Sequence, residues 1–414
     1  MTAVQNVPAG FDPTEPDVLL QGMAHDEYAA LRANDPVHWV EQNSESAAGF
    51  IDEGAKGYWA VTRHVDIAEV SKNSKDFSTS MNGAIIRFAP DMTREQVEQQ
   101  SVMMINQDDP EHGNLRRIIS RGFTPRAIGS LKDSLQRQAR EIAEEAKAKG
   151  EGDFVELVAA ELPLRAIADL LGVPQEDRMK LFHWSNEMLA YDDPEYNGDP
   201  EGASIEIIEY FMPMAEDRKA NPKDDIVTKL VTTGEDGEGL GSDEFAFFVI
   251  LLTVAGNETS RNSITHGMKA FFDHPEQWEL FKKERPATAV DEIIRWATPV
   301  NVFQRTAVND TRIGDVDIKK GQRVGIFYGS GNFDSEVFDD PYTFNIMRDP
   351  NPHLSFGGHG AHYCVGANLA RLTVSLMFNA IADVLPDIKL AQDPRLLRHS
   401  WINGIKEMQV SFNG

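Results

Sequence analysis

The 414 residues, 41% hydrophobic and 26% charged, suffice for one large globular domain or two to three ordinary ones. Forty lysines and arginines against 66 aspartates and glutamates leave a formal charge of −26, which argues against nucleic acid and anionic membrane as main partners, since both are polyanions. A single cysteine excludes an internal disulfide and suits a reducing compartment.

The start, "MTAVQNVPAGFDPTEPD", has neither the basic residues nor the apolar core of a signal peptide. Residues 1–20 carry Pro8, Pro13 and Pro16 and read as an extended segment. "DEYAALRAN" predicts a short helix, and "GYWAVTRHVDIAEVSK" a strand running into a helix that starts at Asp66. Helical spacing recurs over 111–122, 130–149, 155–171 and 175–190, and 192–204 is a polar break with two prolines and two glycines. The longest helix runs from an N-cap at Ser242 to His274, with Pro275 marking its stop. About 30 residues at 1.5 Å each cross ~45 Å. Its first half is apolar on all sides and should be buried. That half holds the longest apolar run, 245–252, far short of the ~20 residues of a membrane span. Strand patterns follow in "VFQRTAV", "TRIGDVDI", "QRVGIFYG" and "KEMQVSF", and a last long helix follows Cys364. The expectation is a cytoplasmic, mainly α protein with a smaller β-rich portion, one domain over 1–414.

"FGGHGAHYCVG", residues 356–366, holds the one cysteine. Leu369, Leu372, Leu376 and Ala380 recur at helical spacing behind it, so Cys364 sits at a helix N-terminus, where the dipole and free N–H groups favour a thiolate. Four chemistries fit the loop alone. These are a structural thiol, a nucleophile served by His362, a zinc site built from His353, His359, His362 and Cys364, and a cysteinate ligating haem iron.

The loop resembles the ligand loop of the cytochromes P-450, F-G-x-G-x-H-x-C-x-G: Gly360, His362, Cys364 and Gly366 keep the spacing, while Phe356 stands one position further out and Gly357 takes its place. Four other segments agree. "AGNETS", 255–260, resembles the family's oxygen-activation motif, with Gly256 leaving room beside the helix and the Glu258–Thr259 pair suited to relaying protons. "EIIR" places Glu292 and Arg295 at i and i+3, and Arg348 resembles the third member of that cluster, which buttresses the cysteine loop. "DDPEHGNLRR" resembles the helix whose His112 and Arg116 reach haem carboxylates, and "FQRTAV" the strand that supplies Arg305 for the other.

The resemblance implies a cytochrome P-450 fold, with heme b between the long helix and the helix after the loop. Cys364 would be the iron ligand, with His112, Arg116, Gly256, Arg305, Phe356, Gly357, His362 and Gly366 around the cofactor and Thr259 and Glu258 catalytic. "GSGNFD" does not complete G-x-G-x-x-G, so electrons would come from a ferredoxin and its reductase, with Arg117 and Arg121 helping to dock the ferredoxin. "AIIRF", "RWATPV" and "GAHYCVGANLARL" resemble the actinobacterial steroid side-chain monooxygenases, implying attack by dioxygen chemistry on the C26/C27 methyl of cholesterol or cholest-4-en-3-one. Ile85, Ile86, Phe88, Val254, Val300 and Trp401 are candidate substrate-pocket residues. The alternatives are a terminal hydroxylase of branched fatty acids or terpenoids, a haem-thiolate sensor without turnover, and a zinc or cysteine hydrolase.

Overall fold

A computed structural model describes residues 7–42, 57–88, 92–196, 198–232 and 239–414. The helix Ser242–Asp273 runs through the middle of the fold. Its cap is Gly241 rather than Ser242, because the Gly241 N–H donates to Glu244 Oε2 at 2.8 Å and starts the helix one residue earlier. Helices Glu161–Leu171, Pro200–Ala220, Ala289–Ala297 and Ala367–Val384 pack around it. Two of them approach closely at Gly267, where an added Cβ would lie 2.6 Å from Ile293 Cγ2 and 2.8 Å from Phe378 Cζ. A side chain there would push two helices off the axis of the fold.

The main sheet runs in the order Val37–Glu41, Gly57–Val61, Arg323–Phe327, Val302–Ala307, Phe77–Ser78. Gly57–Val61 lies parallel to Arg323–Phe327, with Trp59 opposite Val324, so an early strand completes a sheet whose centre comes from after residue 300. Several local expectations shift. Part of the extended N-terminal segment forms a helical turn, Pro16–Leu19, for which Pro16 at the first turn is pre-set. The helix expected at Asp66 begins at His64, and the one expected at 130 begins at Pro125, capped by the Thr124 hydroxyl. The polar break ends early, because Asp199 caps a helix from Pro200. "TRIGDVDI" is a hairpin of two short strands, and "KEMQVSF" breaks at Met408.

One ionic cluster ties the helical core to the segment leading into the cysteine loop. Glu292, fully buried, takes Arg295 Nε and Nη2 at 2.8 Å each, Arg348 Nε at 3.1 Å, Asn351 Nδ2 at 3.0 Å and the Asn345 N–H at 2.9 Å. Arg295 also donates to the carbonyls of Asn332 and Pro341, and Arg348 to those of Asp339, Asp340 and Thr343. One carboxylate therefore balances two guanidiniums while both pin loop backbone. Glu292→Gln leaves two buried cations short of their counter-charge and should cost about 3–5 kcal/mol of unfolding free energy in denaturant titration. A loss below ~1 kcal/mol would show that the cluster does not carry the loop.

Candidate functional site

An apolar cavity of about 230 Å³ lies between the long helix and the N-terminus of Ala367–Val384. Helical periodicity gives the long helix one stripe on it: Phe248, Leu252, Gly256, Thr259 and Ser263. The strand Val302–Ala307 contributes alternate residues, Phe303 and Arg305, by its period of two. The helix Glu111–Ile119 contributes His112 and Arg116, one turn apart. From the cysteine loop come Phe356, Gly357, His362, Cys364 and Gly366. Thus every residue that the family resemblance assigned to the cofactor borders this one space.

Its charges are unusual. Arg305 is buried, and its guanidinium donates to the Gln304 carbonyl at 2.7 Å. Arg116 donates to the Tyr363 carbonyl. Among the described residues neither has a carboxylate at ion-pairing distance. Burial pulls both guanidinium pKa values down. The His112 ring lies tilted against His362, centroids 4.3 Å apart, and its buried Nε2 has no partner. Burial, Arg305 and His112 bring the His362 pKa to about 3, so at neutral pH its ring is uncharged, with Nε2 3.2 Å from Thr79 Oγ1. The Tyr328 hydroxyl also borders the cavity, buried and without a partner. Two unpaired cations, an orphaned ring nitrogen and an orphaned hydroxyl in an apolar space fit a flat apolar group that carries carboxylates, which is what a haem is.

The Cys364 sulfur is exposed to this cavity. The helix end does act on it, through the N–H groups of Gly366 and Ala367, and Arg116 and Arg371 act in the same sense. Burial outweighs them and pushes the free thiol up, so the helix N-terminus alone does not make a thiolate here. The displaced Phe356 still reaches the site. Gly357 and Gly358 absorb the extra residue at φ 90° and 69°, and the Phe356 carbonyl accepts from the Cys364 N–H at 2.9 Å.

Other assignments change. A Cβ on Gly256 would meet Ile167 Cδ1 at 2.5 Å, so the absent side chain mainly lets a neighbouring helix approach. Gly360, at φ 115°, makes room for the Ser71 carbonyl, 2.3 Å from an added Cβ, whereas at Gly366 such a Cβ meets only Cys364 Sγ at 3.8 Å and does leave the cavity open. Glu258 does not border the cavity. It points behind the helix, where Oε1 accepts from Arg261 and from Asn262 at 2.8 Å and Oε2 is buried without a partner. Thr259 does border it, with its hydroxyl donating to the Ala255 carbonyl at 2.8 Å. Of the substrate candidates only Val300 lines this cavity. Ile86 and Trp401 belong to a core cluster on which Ile85 and Val254 pack, and Phe88 to a smaller one with Val97. The zinc grouping does not form: His353 pairs with Asp291 at 3.1 Å, His359 faces outward, and no metal-binding cluster occurs among the described residues. Tyr328 and Thr79, missed in the sequence, carry no motif and join the site only through the fold.

A family model, Cytochrome P450, matches residues 287–382. The chain is 58% identical over 410 residues to a steroid C26-monooxygenase of Rhodococcus jostii, covering 99% of this chain and 86% of that protein. It is 38% identical over 396 residues to a methyl-branched lipid omega-hydroxylase of Mycobacterium tuberculosis, covering 93% and 90%. Among solved structures, a Mycobacterium marinum cytochrome P450 in complex with pseudoionone superposes with a TM-score of 0.87 at 34% identity, covering 95% of this chain and 96% of that one. A Bacillus megaterium relative in complex with corticosterone gives 0.80 at 28% identity, covering 94% and 98%.

Proposed function

The chain belongs to the cytochrome P450 family, and from that premise we propose that it is a monooxygenase that hydroxylates the terminal C26/C27 methyl of a sterol side chain, cholesterol or cholest-4-en-3-one, and can carry the alcohol on to the acid. The observation that carries the reading is Cys364 opening onto an apolar cavity ringed by unpaired buried cations. Heme b, once bound, supplies the oxygen chemistry.

The residues around it do the rest. Cys364 would hold the iron of that group through its sulfur, which would supply electron density. Bound as a thiolate, it also gives Arg116 a negative neighbour. Arg116 and Arg305 neutralise the carboxylates, with His112 and His362 beside them. Leu252, Phe248 and Phe303 keep water out of the reacting space. Thr259 holds a proton on Oγ1 that becomes available to the cavity once its bond to the Ala255 carbonyl opens. Glu258 can exchange protons with Thr259 only by leaving Arg261 and Asn262, and its unpartnered Oε2 is the end free to move. Among the described residues no helix is long and apolar enough to cross a membrane.

Electrons come from a separate redox partner, in our reading a ferredoxin served by its reductase. The outer side of the helix that holds His112 and Arg116 carries Arg117, exposed, with Arg121 and Arg126 just beyond it. These complement an acidic protein on the side of the molecule near Cys364. Reversing Arg117 and Arg126 to Glu should slow reduction and flatten its salt dependence; unchanged rates at every ionic strength would exclude this docking site.

Identity favours the sterol over the methyl-branched lipid, 58% against 38%. A terminal methyl is the expected target because an apolar funnel admits an alkyl tail more readily than a fused ring system. Titrating the ferric holoprotein with cholest-4-en-3-one should convert low-spin to high-spin iron at lower concentrations than a methyl-branched fatty acid does, and turnover should yield the terminal alcohol. Saturation by the fatty acid alone, with no sterol product, would replace the sterol reading.

A further inference from the structure

The cysteine loop carries a charged layer that the reaction as described does not use. Arg371, one turn into the helix after the loop, lays its guanidinium over the Phe356 ring, with Cζ 4.4 Å from the centroid. Asp291 on the helix Ala289–Ala297 accepts from Arg371 Nε at 2.8 Å and from His353 Nε2 at 3.1 Å. His353 Nδ1 accepts from the Ser355 N–H at 3.3 Å, which leaves the proton on Nε2, and the same ring lies 5.5 Å from Phe356. Phe356 in turn borders the cavity, and its carbonyl holds the Cys364 N–H. Carboxylate, guanidinium and aromatic ring thus follow one another, and the ring's residue is tied to Cys364 through its backbone carbonyl.

Arg371 is about one-third exposed, so its field is partly screened by solvent, while the Phe356 ring and the Cys364 sulfur both border the apolar cavity. Burial alone would raise the Asp291 pKa, but the bonds from His353 and Arg371 bring it to about 2, so the carboxylate stays charged at working pH.

We propose that Arg371 is a positioning residue whose charge, delivered across the Phe356 ring and moderated by Asp291, sets the reduction potential of the cofactor ligated by Cys364. This rests on the haem-thiolate reading. Adding one electron to the ferric centre makes it more negative, so a nearby cation favours the reduced form and a nearby anion disfavours it. The two partners must therefore act in opposite directions.

The experiment is a spectroelectrochemical titration of substrate-free holoprotein, without a redox partner, for the wild type, Arg371→Gln, Arg371→Lys and Asp291→Asn. Arg371→Gln should shift the ferric–ferrous equilibrium about tenfold toward the ferric form, 59 mV for one electron. Asp291→Asn should shift it toward the ferrous form, and Arg371→Lys should retain most of the wild-type value. Shifts of the same sign in the Gln and Asn variants, or none in either, would overturn the proposal, because a purely structural or docking role predicts those results. If Arg371→Gln does not take up haem, the sign of the Asp291→Asn shift alone decides. Loss of the thiolate-type band in the reduced, carbon monoxide-bound wild type would instead defeat the underlying haem-thiolate reading, so the two failures are distinguishable.

Discussion

A guanidinium buried away from carboxylates is costly, and Arg305 imposes that cost on the whole site. It projects from a central strand into an apolar cavity, bonded to its neighbour's carbonyl. Arg116 faces the same space from another helix with only the Tyr363 carbonyl. Among the described residues no carboxylate pairs with either, so an anionic guest is part of the fold's electrostatic balance. The orphaned His112 nitrogen and Tyr328 hydroxyl point to the same conclusion independently of charge.

The other requirement is that the sulfur be held still over a space left open. Glu292 meets it from one side by balancing Arg295 and Arg348, which between them grip five loop carbonyls. Gly357, Gly358 and Gly360 meet it from the other, through positive φ angles that let the loop fold back over Ser71. The rigid parts lie outside the cavity, and the side toward the guest is kept clear at Gly366. Rigid support behind an open face is what a ligand of fixed geometry needs.

Much of this was legible in the sequence because the motifs are local. A cysteine ahead of a helix, a His and an Arg one turn apart, and a strand arginine each declare a face by periodicity alone. What failed was whatever depends on distant packing. Glu258 and Thr259 are neighbours in sequence, yet successive helical residues point about 100° apart, so one borders the cavity and the other turns to Arg261. The bare helix face at Gly256 suggests room for a guest, but its space goes to Ile167, and that of Gly360 to Ser71, contacts no local pattern announces. Ile86 and Trp401 are apolar, which suits a pocket lining and a core equally, and the fold spends them on the core. The helix Pro200–Ala220 was hidden by its leading prolines and acidic start, although Pro200 and the Asp199 cap are a helix beginning. The shift of Phe356, an irregularity in the sequence, is absorbed by two glycines and leaves the ring at the site.

The claim on which everything rests is that Cys364 binds iron as a thiolate. Its most direct test is the absorption spectrum of the reduced holoprotein under carbon monoxide. Thiolate ligation predicts a strongly red-shifted Soret band, lost when Cys364 is replaced by His in a protein that still folds and holds haem. A folded, haem-loaded wild type with an unshifted band would contradict the account.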